Sequence, residues 1–240
     1  MTVKEGVLLA LENNRGSFVS GEALSAQLGV SRQYISKTVK TLVAEGYDIA
    51  ASTNKGYILS EKCDLLSAAV IKGEAGGNVY CFDRVDSTNR VAKEIYCREG
   101  ECLVVSERQT AGVKKDGSRF ISPQAAGIYM TAALPLDIPL EEIKSYRQSC
   151  GLQVKLAIEA ACGEMAEVRD TDDVYVNGEK VCGILVECMV NAAALKTECV
   201  FVGVGVYTGE AEGVSAHISG RESRNKLAAD IFKRLKGIAG

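Results

Sequence analysis

Two serines that flank one glycine constrain this chain more than any other feature. Ser20 and Ser31 each stand where a helix N-cap belongs, and Gly29 stands where the helix between them must stop. Glu22 falls in the first turn of that helix, where a carboxylate favours the positive end of the dipole. Ala23, Leu24 and Leu28 are its expected buried stripe, and Val30 packs into the corner. From Ser31 the spacing predicts a further helix to about residue 44, with Ile35, Val39 and Leu42 facing inward. An earlier helical stretch carries Val7, Leu8, Ala10 and Leu11 and stops before Asn13-Asn14-Arg15-Gly16. Helix, short turn with glycine, helix is the helix-turn-helix arrangement. Two strand-like runs, 47–51 and 56–59, are separated by Ser52-Thr53-Asn54-Lys55 and add a hairpin, or wing.

The third helix places Ser31, Arg32, Gln33, Ser36, Lys37 and Lys40 off its apolar stripe, and Lys55 lies at the wing tip. Arg32 and Gln33 are in the first turn, where a recognition helix reaches base edges. Lys37, Lys40 and Lys55 suit phosphates, which carry affinity but little sequence information. Residues 1–62 hold seven basic and six acidic side chains, so bulk charge does not decide between DNA and an ordinary solvated or protein-binding face. Placement does, because four of the seven cations lie on the third helix and the wing. The partner expected from this is double-stranded operator DNA.

The rest of the chain limits the alternatives. At 240 residues and 47% apolar content it can bury its own core without staples. Three prolines, no tryptophan and 6% aromatics argue against a stacking platform for single strands. A net charge of -3 confines nucleic-acid binding to a local face. Nine cysteines without a CxxC pair, no signal peptide and no long apolar run predict a cytoplasmic chain with reduced thiols and no membrane partner. No metal site is expected: His217, the only histidine, lies in a polar turn without ligands at metal spacing, and Cys182 and Cys188 read as small buried hydrophobes.

After residue 62 come a connector and a short helix over 65–71, ended by Gly76-Gly77. Strands and helices then alternate: strands at 79–82, 101–107, 127–133, 180–189 and 199–207, and helices through 96, over 145–165 and over 225–235. Val168-Arg169 and Val174-Tyr175-Val176 bracket an acidic turn. The fold class is therefore α+β, a winged helix over 1–62 followed by a mixed-sheet domain over 63–240.

These residues carry a resemblance. Asp86-Ser87-Thr88-Asn89, Gln109-Thr110-Ala111-Gly112, Ser122-Pro123, Gly127-Ile128-Tyr129 and Gly183-Ile184-Leu185-Val186-Glu187, after a winged helix, resemble the biotin protein ligase family. The likeness is closest to its bifunctional members, which also repress the biotin operon. It implies a biotin/lipoate ligase-like domain, an adenylate made from biotin and ATP, a carrier-protein lysine as acceptor, and a homodimer on the operator. It also implies that Ser87, Thr88 and Gln109, with neighbouring Asn89, line the pocket for the biotin ring. A neutral ureido group wants such hydroxyl and amide partners. Gly112, Gly127, Tyr129, Gly183, Ile184 and Leu185 match backbone and neighbours close to the ligand, and Lys180 and Lys115 match basic positions near the adenylate. Taken singly, Ser87-Thr88-Asn89 also reads as a helix cap and Gln109 as a surface amide.

Three departures fall on the nucleotide chemistry. The family's arginine-rich loop is here Gly112-Val113-Lys114-Lys115-Asp116-Gly117-Ser118-Arg119-Phe120, and lysine cannot reproduce an arginine fork on phosphate. The family's Lys-Trp-Pro-Asn-Asp is Arg169-Asp170-Thr171-Asp172-Asp173, so Arg169 stands in a degenerate form for the catalytic lysine. Asp170 and Asp172 add negative charge there, a surface turn in one reading and Mg²⁺ ligands in another. Gly203-Val204-Gly205-Val206-Tyr207 ends in a phenol where the family has an amide. The small β-barrel that follows in the family is read as missing after Gly240.

Two functions follow. In the first the chain is a transcription regulator whose ligase-like domain senses biotin or a related small effector and has lost adenylation. In the second it is an active biotin–[acetyl-CoA carboxylase] ligase using ATP and Mg²⁺, with Arg169 and Lys115 on the phosphates and a biotin carrier protein as partner. The distribution of losses favours the first.

Overall fold

The computed structural model of the chain describes residues 1–170, 173–219 and 223–239. Its first three helices are α1 (Val3–Glu12), α2 (Gly21–Leu28) and α3 (Arg32–Ala44). Each begins on a side-chain cap: Thr2 accepts from Glu5 N, Ser20 from Ala23 N and Ser31 from Tyr34 N. Such caps contribute about 1 kcal/mol apiece. Gly29 closes α2 in the left-handed region at φ +66°. Val7, Leu11, Leu24, Ile35, Val39 and Leu42 form the core of this module. Ala23 is exposed rather than buried, because the inward face of α2 is set by Leu24. The wing is an antiparallel pair, β1 (Ile49–Ser52) and β2 (Gly56–Leu59), with Ser52 opposite Gly56.

The connector runs into α4 (Ala68–Ala75), which starts three residues later than its apolar pattern predicts. The reason lies in its backbone groups. Leu66 N donates to Glu107 and Ser67 N to Asn225, which ties the connector down with Ser67 in extended backbone (φ −135°, ψ 119°), and the Ser67 hydroxyl then caps Val70 N.

Seven strands form one mixed sheet in the order β3-β4-β5-β9-β8-β7-β6. They are β3 (Val79–Phe82), β4 (Cys102–Ser106), β5 (Gly127–Pro135), β6 (Ala166–Arg169), β7 (Asp173–Val176), β8 (Glu179–Asn191) and β9 (Lys196–Tyr207). Helix α5 (Thr88–Glu99) makes the crossover between the one parallel pair, β3 and β4. It extends past residue 96 to Gly100, whose φ of +76° ends it. Helix α6 (Ile143–Cys162) stops at Gly163 rather than at the strongly exposed Met165, and α7 (Arg224–Ala239) is longer than the expected 225–235.

Period-two alternation sorts the strand residues between two layers. Leu103, Val105, Ile128, Met130, Val202 and Val204 pack with α6 and α7 in the main core, whereas Cys102, Val104, Ala133 and Phe201 pack beneath α5. Gly203 and Gly205 point to the α5 side. A Cβ on Gly203 would overlap the Asn89 amide, and one on Gly205 would overlap the Phe120 ring. Absence of a side chain therefore lets Asn89 and Phe120 lie close on the sheet, and with the two glycines they line a hollow on its α5 face.

Candidate functional site

That hollow is a cavity of about 240 Å³ between the start of α5, the loop after β4 and the middle of β8 and β9. Of the residues expected from sequence, Ser87, Thr88, Asn89, Gln109, Lys115, Lys180, Gly183, Ile184 and Leu185 line it. Its polar end is a hydrogen-bonded cup. Thr88 donates its backbone N–H to Gln109 Oε1 at 2.8 Å, and its hydroxyl lies 3.1 Å from the same oxygen. Gln109 Nε2 donates to Ser122 Oγ at 3.2 Å. Thr131 Oγ1 lies 2.8 Å from Thr88 Oγ1 and 2.6 Å from Asn89 Oδ1. Asn89 Nδ2 then donates to Glu187, which Lys93 also holds at 2.9 Å. Burial raises the Glu187 pKa, but the Asn89 and Lys93 contacts outweigh it and hold the carboxyl below its usual range.

The opposite end is charged. Lys180 Nζ sits 2.5 Å from Asp173 Oδ2, and Lys114, Lys115 and Asp116 complete the lining. Phe120 lies across Gly183 and Gly205 and stacks on Tyr207 with centroids 5.7 Å apart and planes 4° from parallel. Tyr207 donates to Ile121 O, and burial pushes its phenol up to about 12.

Four expected residues do not line the cavity. Gly112 is buried behind Gln109, its carbonyl accepting from Phe120 N. Gly127 gives its carbonyl to Arg224. Tyr129 lies edge-on beneath Phe120 and donates to Pro123 O. Arg169, placed in sequence at the catalytic lysine, is exposed at the end of β6. Its guanidinium is held by Glu167 at 2.8 Å and lies 4.4 Å from the centroid of the Tyr175 ring. Asp170 sits in the following turn at φ +53°, and Asp172 lies outside the described residues. Met130 and Asp173 line the cavity without having been singled out. The signal for Asp173 was the register of β7 on β8, hidden by the irregularity between Val174 and Tyr175.

On the winged helix, Ser31, Arg32, Gln33, Lys37, Lys40 and Lys55 are exposed and Ser36 is half-buried. The Ser31 hydroxyl is occupied as a cap. Arg32 pairs with Glu22 at 2.8 Å, both largely exposed, a contact worth about 0–1 kcal/mol. Lys55 Nζ stands 5.5 Å over the Phe18 ring, an aromatic the sequence pattern did not flag. Among the described residues no group of three His, Cys, Asp or Glu side chains is placed to hold a metal, and no helix is long and apolar enough to cross a membrane.

A winged helix joined to a sheet with a hydroxyl-and-amide cup under its first crossover helix defines the class: a helix-turn-helix protein built on a biotin/lipoate ligase fold. The profile of the biotin/lipoate A/B protein ligase family matches residues 81–206, more than half of the chain, and an HTH domain profile matches residues 4–58. The chain belongs to the biotin/lipoate A/B protein ligase family. It is 34% identical over 208 residues to the bifunctional ligase/repressor BirA of Bacillus spizizenii, covering 83% of this chain and 63% of the relative. The Escherichia coli protein of the same name is 29% identical over 248 residues, covering 95% and 74% respectively. The chain thus spans less than two thirds of the Bacillus spizizenii relative. Among solved structures, the Leishmania major biotin protein ligase in complex with biotin superposes with a TM-score of 0.56 at 19% identity, covering 68% of this chain and 74% of that one. The Aquifex aeolicus ligase with biotin and ATP gives 0.52 at 22%, covering 68% and 70%. These two likenesses bear on the fold.

Proposed function

We propose that the chain is a DNA-binding transcription regulator of the biotin-repressor type. In this reading residues 1–62 bind operator DNA, and residues 63–240 sense biotin or a related small ligand in the cytoplasm, dimerise, and no longer form an adenylate. The observation that carries the reading is the contrast between the two ends of one cavity. At the cup, the Ser87 hydroxyl does not cap α5, and among the described residues Gln109 Nε2 has Ser122 Oγ as its acceptor, which uses one of its two N–H groups. Ser87 and Gln109 both line the cavity and suit a neutral carbonyl-bearing ring such as a ureido group. Thr88, Asn89, Gly183, Ile184 and Leu185 complete that subsite, with Gly112, Gly127 and Tyr129 supporting it from behind.

The charged end does not fit a triphosphate. Among the described residues no arginine fork, which would hold phosphate at two points, lines the cavity; lysines stand there instead, with the carboxylates of Asp116 and Asp173 among them. Lys180 is already matched by Asp173, and Arg169 is matched by Glu167 outside the cavity. A phosphate placed here meets the carboxylates of Asp116 and Asp173, like charges that disfavour it.

The relatives named ligase/repressor supply the competing function, an active ligase. Calorimetric titration with biotin, with ATP and with both separates the two. The regulator reading expects biotin to bind alone, with ATP leaving its affinity unchanged. ATP binding that is tight only with biotin, accompanied by pyrophosphate release, overturns it.

A further inference from the structure

An arginine of the larger domain grips the connector that leads from the winged helix, and its hydrogen-bonding capacity is fully used. Arg224, at the start of α7, is 4% exposed. Its Nε donates to Asp64 Oδ2, its Nη1 to Glu107 Oε2 at 2.7 Å and to Gly127 O at 2.9 Å, and its Nη2 to Glu107 Oε1 and to the Asp64 carbonyl. A guanidinium has five N–H donors, and all five are spent here. Arg224 N adds a sixth contact to Asp64 Oδ1.

A cation at a helix N-terminus opposes the macrodipole, so this residue is not there to help α7 form. It reads three segments at once: the connector through Asp64, the end of β4 through Glu107, and the start of β5 through Gly127. Its neighbour Asn225 holds the next connector residues, donating to Leu65 O and accepting from Ser67 N. On the other side Glu12 of α1 accepts from Arg15 and from Ser223, and Arg15 in turn caps the carbonyls of Ser60, Glu61 and Cys63. The connector is therefore gripped along its length and is no loose tether.

Two partners of this arginine lie next to residues of the cavity lining. Glu107 is two residues from Gln109, and Gly127 opens the strand that carries Met130 and Thr131. Gln109 and Met130 line the cavity, and Thr131 bonds to Thr88. We infer that Arg224 is the positioning residue that couples the state of the cup to the seat of the winged helix, through Glu107 on one side and Asp64 on the other. An occupant that re-sets Gln109 changes the tension on Glu107, and the buried fork passes it to the connector. This deepens the effector reading above and rests on it.

Amide hydrogen exchange on the full chain tests the coupling. Without ligand, Arg224→Met should speed exchange in the connector (Leu66, Ser67) and in the cup (Thr88, Gln109) together, whereas Asn225→Leu should speed only the connector. With saturating biotin, wild-type protection should rise at both places by about fivefold or more, the low end of ordinary coupling. In Arg224→Met it should rise in the cup alone. Glu107→Gln, which keeps an acceptor but loses the charge, should behave like Arg224→Met in smaller degree and covers the case in which the first variant folds poorly. Connector and cup responding independently in the ligand-free variants, or a connector response to biotin that survives both substitutions, overturns the coupling. Failure of biotin to protect the wild-type cup strikes the effector reading instead, and the ligand-free comparison tells the two apart.

Discussion

The Thr131 hydroxyl has one proton and two oxygen neighbours, and counting protons orders the whole cup. Asn89 Oδ1 carries none, so Thr131 donates to it at 2.6 Å. The 2.8 Å contact to Thr88 then requires the Thr88 proton, and Gln109 Oε1 is served by the Thr88 backbone N–H. Thr88→Val keeps the shape but leaves Thr131 without its donor inside a buried network. The expected loss is about 1–3 kcal/mol of folding stability, with biotin affinity falling by roughly tenfold or more. Denaturant unfolding and calorimetry read both, and unchanged values would show that the cup is not a bonded unit. At the far end of the same chain of contacts stands Glu187, whose folded pKa lies below the ordinary 4.5. A depressed carboxyl stabilises the fold above its unfolded pKa, and that contribution disappears as pH falls through the folded value. Between about pH 5 and pH 3 the wild type should therefore lose stability more steeply than Glu187→Gln. Parallel pH profiles would contradict this.

At the scale of elements, helix starts were legible wherever a side chain both caps and lies outside other business. Ser20, Ser31 and Gly29 placed α2 and α3 in this way. Ser67 does the same for α4, but contacts of Leu66 N with Glu107 and of Ser67 N with Asn225, more than forty positions away in sequence, hold the connector extended up to it, so apolar spacing alone put the start too early. Arg169 shows a similar limit. Charge and position suggested a cavity residue, while the β6–β7 hairpin holds its side chain outside against Glu167 and Tyr175. Ser87, Thr88, Asn89 and Gln109 read singly as a helix cap and a surface amide; the family resemblance grouped them, and they line one cavity. For the winged helix, Arg32 in the first turn of α3 and Lys55 at the wing tip are expected to act differently on DNA. Arg32→Ala should erode sequence preference, by about 1–3 kcal/mol at the base it contacts. Lys55→Ala should weaken all duplexes alike and lower the salt slope by about one. Anisotropy titrations over a salt series separate the two, and equal effects on cognate and random duplexes from both variants would remove α3 from the groove.

The molecule as a whole joins an exposed cationic helix, a small neutral cup and a saturated arginine between them. Nothing in that chain of contacts passes through the charged end of the cavity, where lysines face carboxylates. In the reading proposed above regulation needs no adenylate, since a ligand shifts DNA binding by its differential affinity for two states, typically a coupling of 5–150-fold. The most direct measurement is the affinity of the full chain for a duplex it selects from a random pool, titrated with biotin alone, ATP alone and both. The account expects biotin alone to shift that affinity about fivefold or more, with ATP adding nothing. A shift that requires biotin and ATP together, as an adenylate would, contradicts it.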